Sequence, residues 1–198
     1  MFLDKNFKLL FIFILIFISL FTFAVFTINF GSVDTSDYLG VAKGFANLSQ
    51  SKMRSSHTWI AGLVLGQFLK LVPSIYFLKF INVFVLTVIG LLIYYVTKSY
   101  KTLWLFAFSP VVWFNAPAIN GIQFASFFIF FGYIFFKKFH DGEKIKYLIA
   151  SGVSFGLANL FWDSSFYLTL FFIISFFYKK ESKYLFLFLI AFMASSSI

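Results

Sequence analysis

Side chains able to move a proton or hold an anion are few here, and they are unevenly spread. Asp and Glu together number 7 and His 2 in 198 residues. The stretch from Asn29 to His57 gathers Asp34, Asp37, Lys43, Lys52, Arg54 and His57 among many Ser and Asn residues. Carboxylates suit general-base work. Arg and Lys suit phosphate, one as a planar fork and the other as a point charge. A plainer use exists for each: Asp34 or Asp37 can cap a helix beginning near Tyr38, and the cations can meet lipid headgroups. If the helix begins earlier, Asp34, Tyr38 and Ala42 fall at i, i+4 and i+8 on one face. Outside this stretch, Lys79, Asn120, Gln123 and Asp163 are the polar residues set at or near the ends of apolar runs. Asn120 and Gln123 suit sugar hydroxyls or helix packing, and Asp163 suits a solvated turn.

The elements that must position these groups are almost wholly apolar. Hydrophobic residues make up 61% of the chain and charged residues 12%, with 35 Phe. A chain this small cannot bury so much apolar surface in water, so lipid must cover the excess. The net charge of +9 does not imply nucleic acid, because the lysines form short clusters between apolar runs, as cytoplasmic loops do. There is no Cys, which excludes disulfides and thiolate chemistry. Two distant His and few carboxylates give no expectation of a dedicated metal site.

Hydropathy predicts an all-α, polytopic helix bundle with about seven transmembrane helices, forming a single membrane domain over 1–198. The spans are Leu9–Ile28, Tyr76–Thr97, Leu103–Ala118, Ile122–Phe136, Tyr147–Phe161, Phe166–Tyr178 and Tyr184–Ile198. The first is the length of a spanning helix, and no A-x-A pattern follows it, so an uncleaved span is expected rather than a signal peptide. Trp59–Val72 is short and carries Gln67 and Lys70, so it is expected to lie at the surface within an outward loop, 29–75. With the N-terminus cytoplasmic, the clusters at Lys98–Lys101, Lys137–Lys146 and Lys179–Lys183 all fall inside. An eight-span form with the N-terminus outside also satisfies the charge rule. The polarity of Trp59–Val72 and the position of Lys5 and Lys8 favour seven.

An acidic residue just beyond the first span, a Tyr four residues on and an Ala four further resemble the first outer loop of the glycosyltransferase C superfamily. His57-Thr58-Trp59 is similar to that family's His-x-aromatic entry into a surface helix. Phe108-Ser109-Pro110, Asn120-Gly121-Ile122-Gln123-Phe124 and Gly152–Asn159 resemble its later helix-end motifs. The chain departs from the pattern at Thr35, Ala125 and Trp162, and at Thr58-Trp59, where relatives carry Pro-Pro.

The resemblance implies a multi-pass cell-membrane enzyme that transfers a sugar from a polyprenyl-phosphate donor at the outer face. Asp34 would then be the base, with Asp37, Tyr38, Arg54, His57, Lys79 and Gln123 binding substrate. Lys52 would add a further cation for the donor phosphate. No cofactor is firmly implied beyond the lipid-linked donor, although the chemistry leaves room for a divalent cation. The expected partners are membrane lipid, the donor, and a subunit supplying further helices or an acceptor domain. The alternative is a non-catalytic membrane subunit that binds lipid or a partner.

Overall fold

The computed structural model describes residues 5–27, 33–48, 59–142, 144–178 and 182–196. Among these residues the regular elements are all helices: α1 (Lys5–Phe26), α2 (Val33–Phe45), α3 (Trp59–Leu71), α4 (Ile75–Thr97), α5 (Tyr100–Ala107), α6 (Pro110–Asn115), α7 (Ile122–His140), α8 (Ile145–Phe161), α9 (Ser165–Tyr178) and α10 (Ser182–Ser196). Three of them, α1, α4 and α7, are long and apolar enough to cross a membrane. The 23 residues of α4 extend about 35 Å, against a hydrocarbon core of about 30 Å. The other apolar helices of ten residues or more, α3, α8, α9 and α10, are shorter. Hydropathy thus predicts more crossings than helix length alone supports.

The expected third span, Leu103–Ala118, is two helices. Ser109 is extended, with φ −64° and ψ 125°, and Pro110 opens α6. Proline lacks an N–H and its ring disfavours helical geometry in the residue before it, so the helix stops and restarts. A carbonyl bared by the break is recovered when the Trp113 indole N–H donates to the Ala107 oxygen at 2.7 Å.

The chain forms two compact units. The first comprises Met1–Arg54 with Gly62–Asn120. Here α1 buries only one stripe, Ile12, Ile16, Leu20 and Ala24, while Phe7, Leu10, Phe11, Ile14, Leu15 and Ile18 stay exposed. Residues four apart share a helix face, so this stripe is the packing face and the apolar remainder suits lipid. Phe80 of α4 meets Phe17 and Phe21 edge-on, with ring centroids 5.3 and 5.7 Å apart. Such pairs add about 0.5–1.5 kcal/mol beyond burial.

In the same unit α2 and α3 touch through glycine. A Cβ at Gly62 would strike the Val41 side chain, and one at Gly66 would lie 2.7 Å from Phe45 Cβ and 2.9 Å from the Ala42 oxygen. Two glycines one turn apart therefore let the backbones approach closely, as in membrane helix pairs.

The second unit comprises Ser55–Ala61 with Gly121–Ile198. Its centre is α8. A Cβ at Gly152 would lie 2.7 Å from the Phe188 oxygen of α10, and one at Gly156 would fall on Ser195 Oγ. Toward α7, the Ser151 hydroxyl donates to the Gly132 oxygen at 2.8 Å. Phe136, Leu148, Phe155, Phe176, Phe188 and Phe192 fill the core between these helices.

Candidate functional site

The first two turns of α4 carry two buried polar side chains, Lys79 and Asn82, three residues apart and so on one face. The Lys79 ammonium donates to the backbone oxygens of Ala24 at 2.7 Å and Thr27 at 3.1 Å, at the end of α1. The last carbonyls of a helix have no partner within it, and a cation there also complements the helix dipole. In apolar surroundings such oxygens must be satisfied by protein, which explains a lysine at 5% exposure. Two of the three N–H donors of the ammonium are used in this way.

Asn82 does the same for α6. Its Nδ2 donates to the Asn115 oxygen at 3.1 Å and the Ala116 oxygen at 3.0 Å. Its Oδ1 is buried without a hydrogen-bond partner. The C-termini of α1 and α6 therefore both end against the start of α4. Sequence reading passed over Asn82. Its signal was an amide within the apolar run Ile81–Leu86, where polar groups are costly and so have a reason to be present.

Only a short connection, residues 28–32, separates Thr27 from α2. Position 34 is the second residue of α2. Because α2 begins at Val33, Asp37 lies inside the helix and is not its N-cap, as a helix starting near Tyr38 would have made it. Tyr38 and Ala42 are both buried, at 4% and 0% exposure, so the spacing of four does mark the packing face of α2. Arg54, His57 and Lys52 lie outside the described residues.

Gln123, the second residue of α7, is buried in unit 2, and Asn120 is buried at the end of unit 1. Both already engage other groups. Asp163 is exposed in the α8–α9 turn, where its carbonyl accepts the Phe166 N–H at 3.0 Å. Among the described residues no three of His, Asp and Glu gather to hold a metal ion.

One to two and a half turns back along α1 from Ala24, a groove of about 140 Å³ opens beside the α5–α6 break. It is lined mainly by Leu15, Ile16, Leu20, Trp104, Phe108 and Trp113. Its walls are apolar apart from Ser19, so it suits a hydrocarbon chain better than a polar ligand.

Comparison with known proteins returns no matching family model, no matching curated protein and no matching solved structure.

Proposed function

We propose that this chain is a multi-pass membrane protein of the glycosyltransferase C type, transferring a sugar from a polyprenyl-phosphate donor at the outer membrane face. The observation that carries the reading is a nearness along the chain within unit 1. A buried ammonium, Lys79, grips the end of α1, and the chain passes from there within a few residues into the first turn of α2, which bears Asp34. An acid and a cation are the two groups such a transfer needs.

In the reaction an acceptor hydroxyl gives its proton to the Asp34 carboxylate as its oxygen bonds to the anomeric carbon of the sugar. The bond from that carbon to the phosphate oxygen breaks, and the polyprenyl phosphate leaves with the extra negative charge. The third N–H of Lys79, with Arg54 and His57, would meet that charge. The apolar groove between α1 and the α5–α6 break supports the reading by offering a place for the lipid tail. In this reading α1, α4, the α5–α6 pair and α7 to α10 make the seven crossings, with the N-terminus cytoplasmic.

The test uses membranes containing the full chain and a labelled lipid-linked sugar. Wild type is expected to transfer label, and Asp34→Asn to lose about 100-fold or more. Equal transfer by Asp34→Asn removes the base, and no transfer by wild type from any polyprenyl donor removes the enzyme.

A second reading, a non-catalytic membrane subunit, is favoured by the use of Lys79 and Asn82 as helix caps. A stable complex surviving detergent extraction, without transfer on any donor, would support it instead.

A further inference from the structure

The opposite end of unit 1 is built from different contacts. There the start of α1, the end of α4 and the start of α5 bring together Lys8, Lys98 and Lys101 with Tyr94, Tyr95 and Tyr100. The Lys8 ammonium sits 5.0 Å from the centroid of the Tyr100 ring, and that of Lys98 sits 4.0 Å from the centroid of Tyr95. Tyr94 and Tyr100 lie against each other with centroids 4.9 Å apart. All three lysines are exposed. Among the described residues no carboxylate pairs with them, and the partners of Lys8 and Lys98 are ring faces.

Lys98 carries the most telling detail. It stands at φ 53° and ψ 23°, the left-handed region, as the cap that ends α4, and its backbone N–H bonds the Tyr94 oxygen. Glycine is the default residue for this position because it has no Cβ to clash. A lysine there is locally unfavourable, so what it adds must come from its side chain, not from the turn. Asn47, the other non-glycine at positive φ among the described residues, is of a type that tolerates this region.

A ring face attracts an ammonium without neutralising it, so the charge remains available to an anion. A tyrosine phenol is neutral at physiological pH, so the Tyr100 ring adds no competing negative charge beside Lys8. Tyrosines and lysines at the ends of apolar helices are the residues that sit at headgroup level.

We propose that this end of unit 1 is a binding surface for anionic phospholipid headgroups, with Lys8 and Lys98 held over tyrosine rings to meet the lipid phosphate and Lys101 beside them. It rests on the reading that α1 and α4 cross a membrane, and it is independent of glycosyl transfer, which is assigned to the other end. The partner is a bilayer lipid because the cations lie where two long apolar helices end. A soluble phosphate would have no reason to prefer that level.

The test takes the full chain purified in detergent and titrates it with phosphatidylglycerol, phosphatidylcholine or inorganic phosphate, reading retained lipid and the thermal midpoint. Phosphatidylglycerol is expected to bind and raise the midpoint, and the other two to do neither. Each lysine removed should weaken binding about five-fold, so Lys8→Gln with Lys98→Gly should lose about 25-fold. Lys98→Gly suits the left-handed turn, so lost binding in a folded variant cannot be assigned to unfolding. Unchanged binding by the double variant, equal binding of phosphatidylcholine, or equal competition by inorganic phosphate overturns the proposal. Alkaline carbonate extraction of membranes separates the premise from the inference. Release of the chain refutes the crossing helices, whereas a retained chain without anionic preference refutes only this site.

Discussion

The two ends of unit 1 use lysine in opposite ways. At one end Lys79 is buried, and its ammonium is bonded to two carbonyl oxygens that close α1. At the other Lys8 and Lys98 are exposed, and their charges rest on tyrosine faces. The first arrangement uses two of the three N–H donors to hold the protein together; the second leaves the whole ammonium available to something outside. The difference follows from what each helix end must satisfy. The end of α1 has carbonyls that its own helix leaves unpaired, whereas the end of α4 is closed by its own left-handed cap. Position along an apolar helix is therefore a poor guide to what a lysine does, and its hydrogen-bond partners are a good one.

The sharpest way to break the comparison is Lys79→Met, which keeps the volume and removes the donors. It leaves the Ala24 and Thr27 oxygens unpaired in apolar surroundings, so unfolding in detergent should fall by about 3 kcal/mol. A loss below about 1 kcal/mol would mean that Lys79 is no more structural than Lys98. Next in size is Asn82→Leu, which removes two bonds to the end of α6 but also an unpartnered buried oxygen. These effects partly offset, and a loss of about 1–2 kcal/mol is expected in the same measurement. If Asn82→Leu proves stabilising, the amide is there for a ligand and not for the helix.

Much of the secondary structure was legible because apolar runs and their breakers are local. Trp59–Val72, set off by Pro73-Ser74, became α3 (Trp59–Leu71), and Tyr147–Phe161 became α8 with a start two residues earlier. The expected Ile122–Phe136 runs on through Lys137, Lys138 and His140, because long basic side chains let a helix continue past its apolar stretch. The break at Ser109-Pro110 was also written in the sequence, but a hydropathy sum across Leu103–Ala118 averages a proline away. The glycine contacts of α8 with α10 and of α3 with α2 were not legible, since spacing shows that a close approach is allowed and not which helix makes it. For the same reason the run Gly152–Asn159 suggested a motif, whereas its two glycines seat α10. Of the site, Lys79 was noticed for its place and Asn82 overlooked. Both roles depend on carbonyls more than 30 residues away in the chain, and no local pattern encodes that.

The smallest expected effect tests the exposed end alone. If Lys98 is retained for its ammonium, the backbone beneath it is strained for any side chain, and only glycine relieves it. Lys98→Gly should then raise stability by about 1 kcal/mol, while Lys98→Ala should leave it nearly unchanged, because alanine keeps the Cβ clash and loses only an exposed charge. The comparison is read from paired thermal melts in neutral detergent, where no anionic lipid contributes. A gain for both variants would place the cost in the charge, through repulsion among Lys8, Lys98 and Lys101. No gain for either would show that the Tyr95 contact repays the strain within the protein. In that case Lys98 would belong with Lys79, as a lysine spent on structure, and the contrast between the two ends would fail.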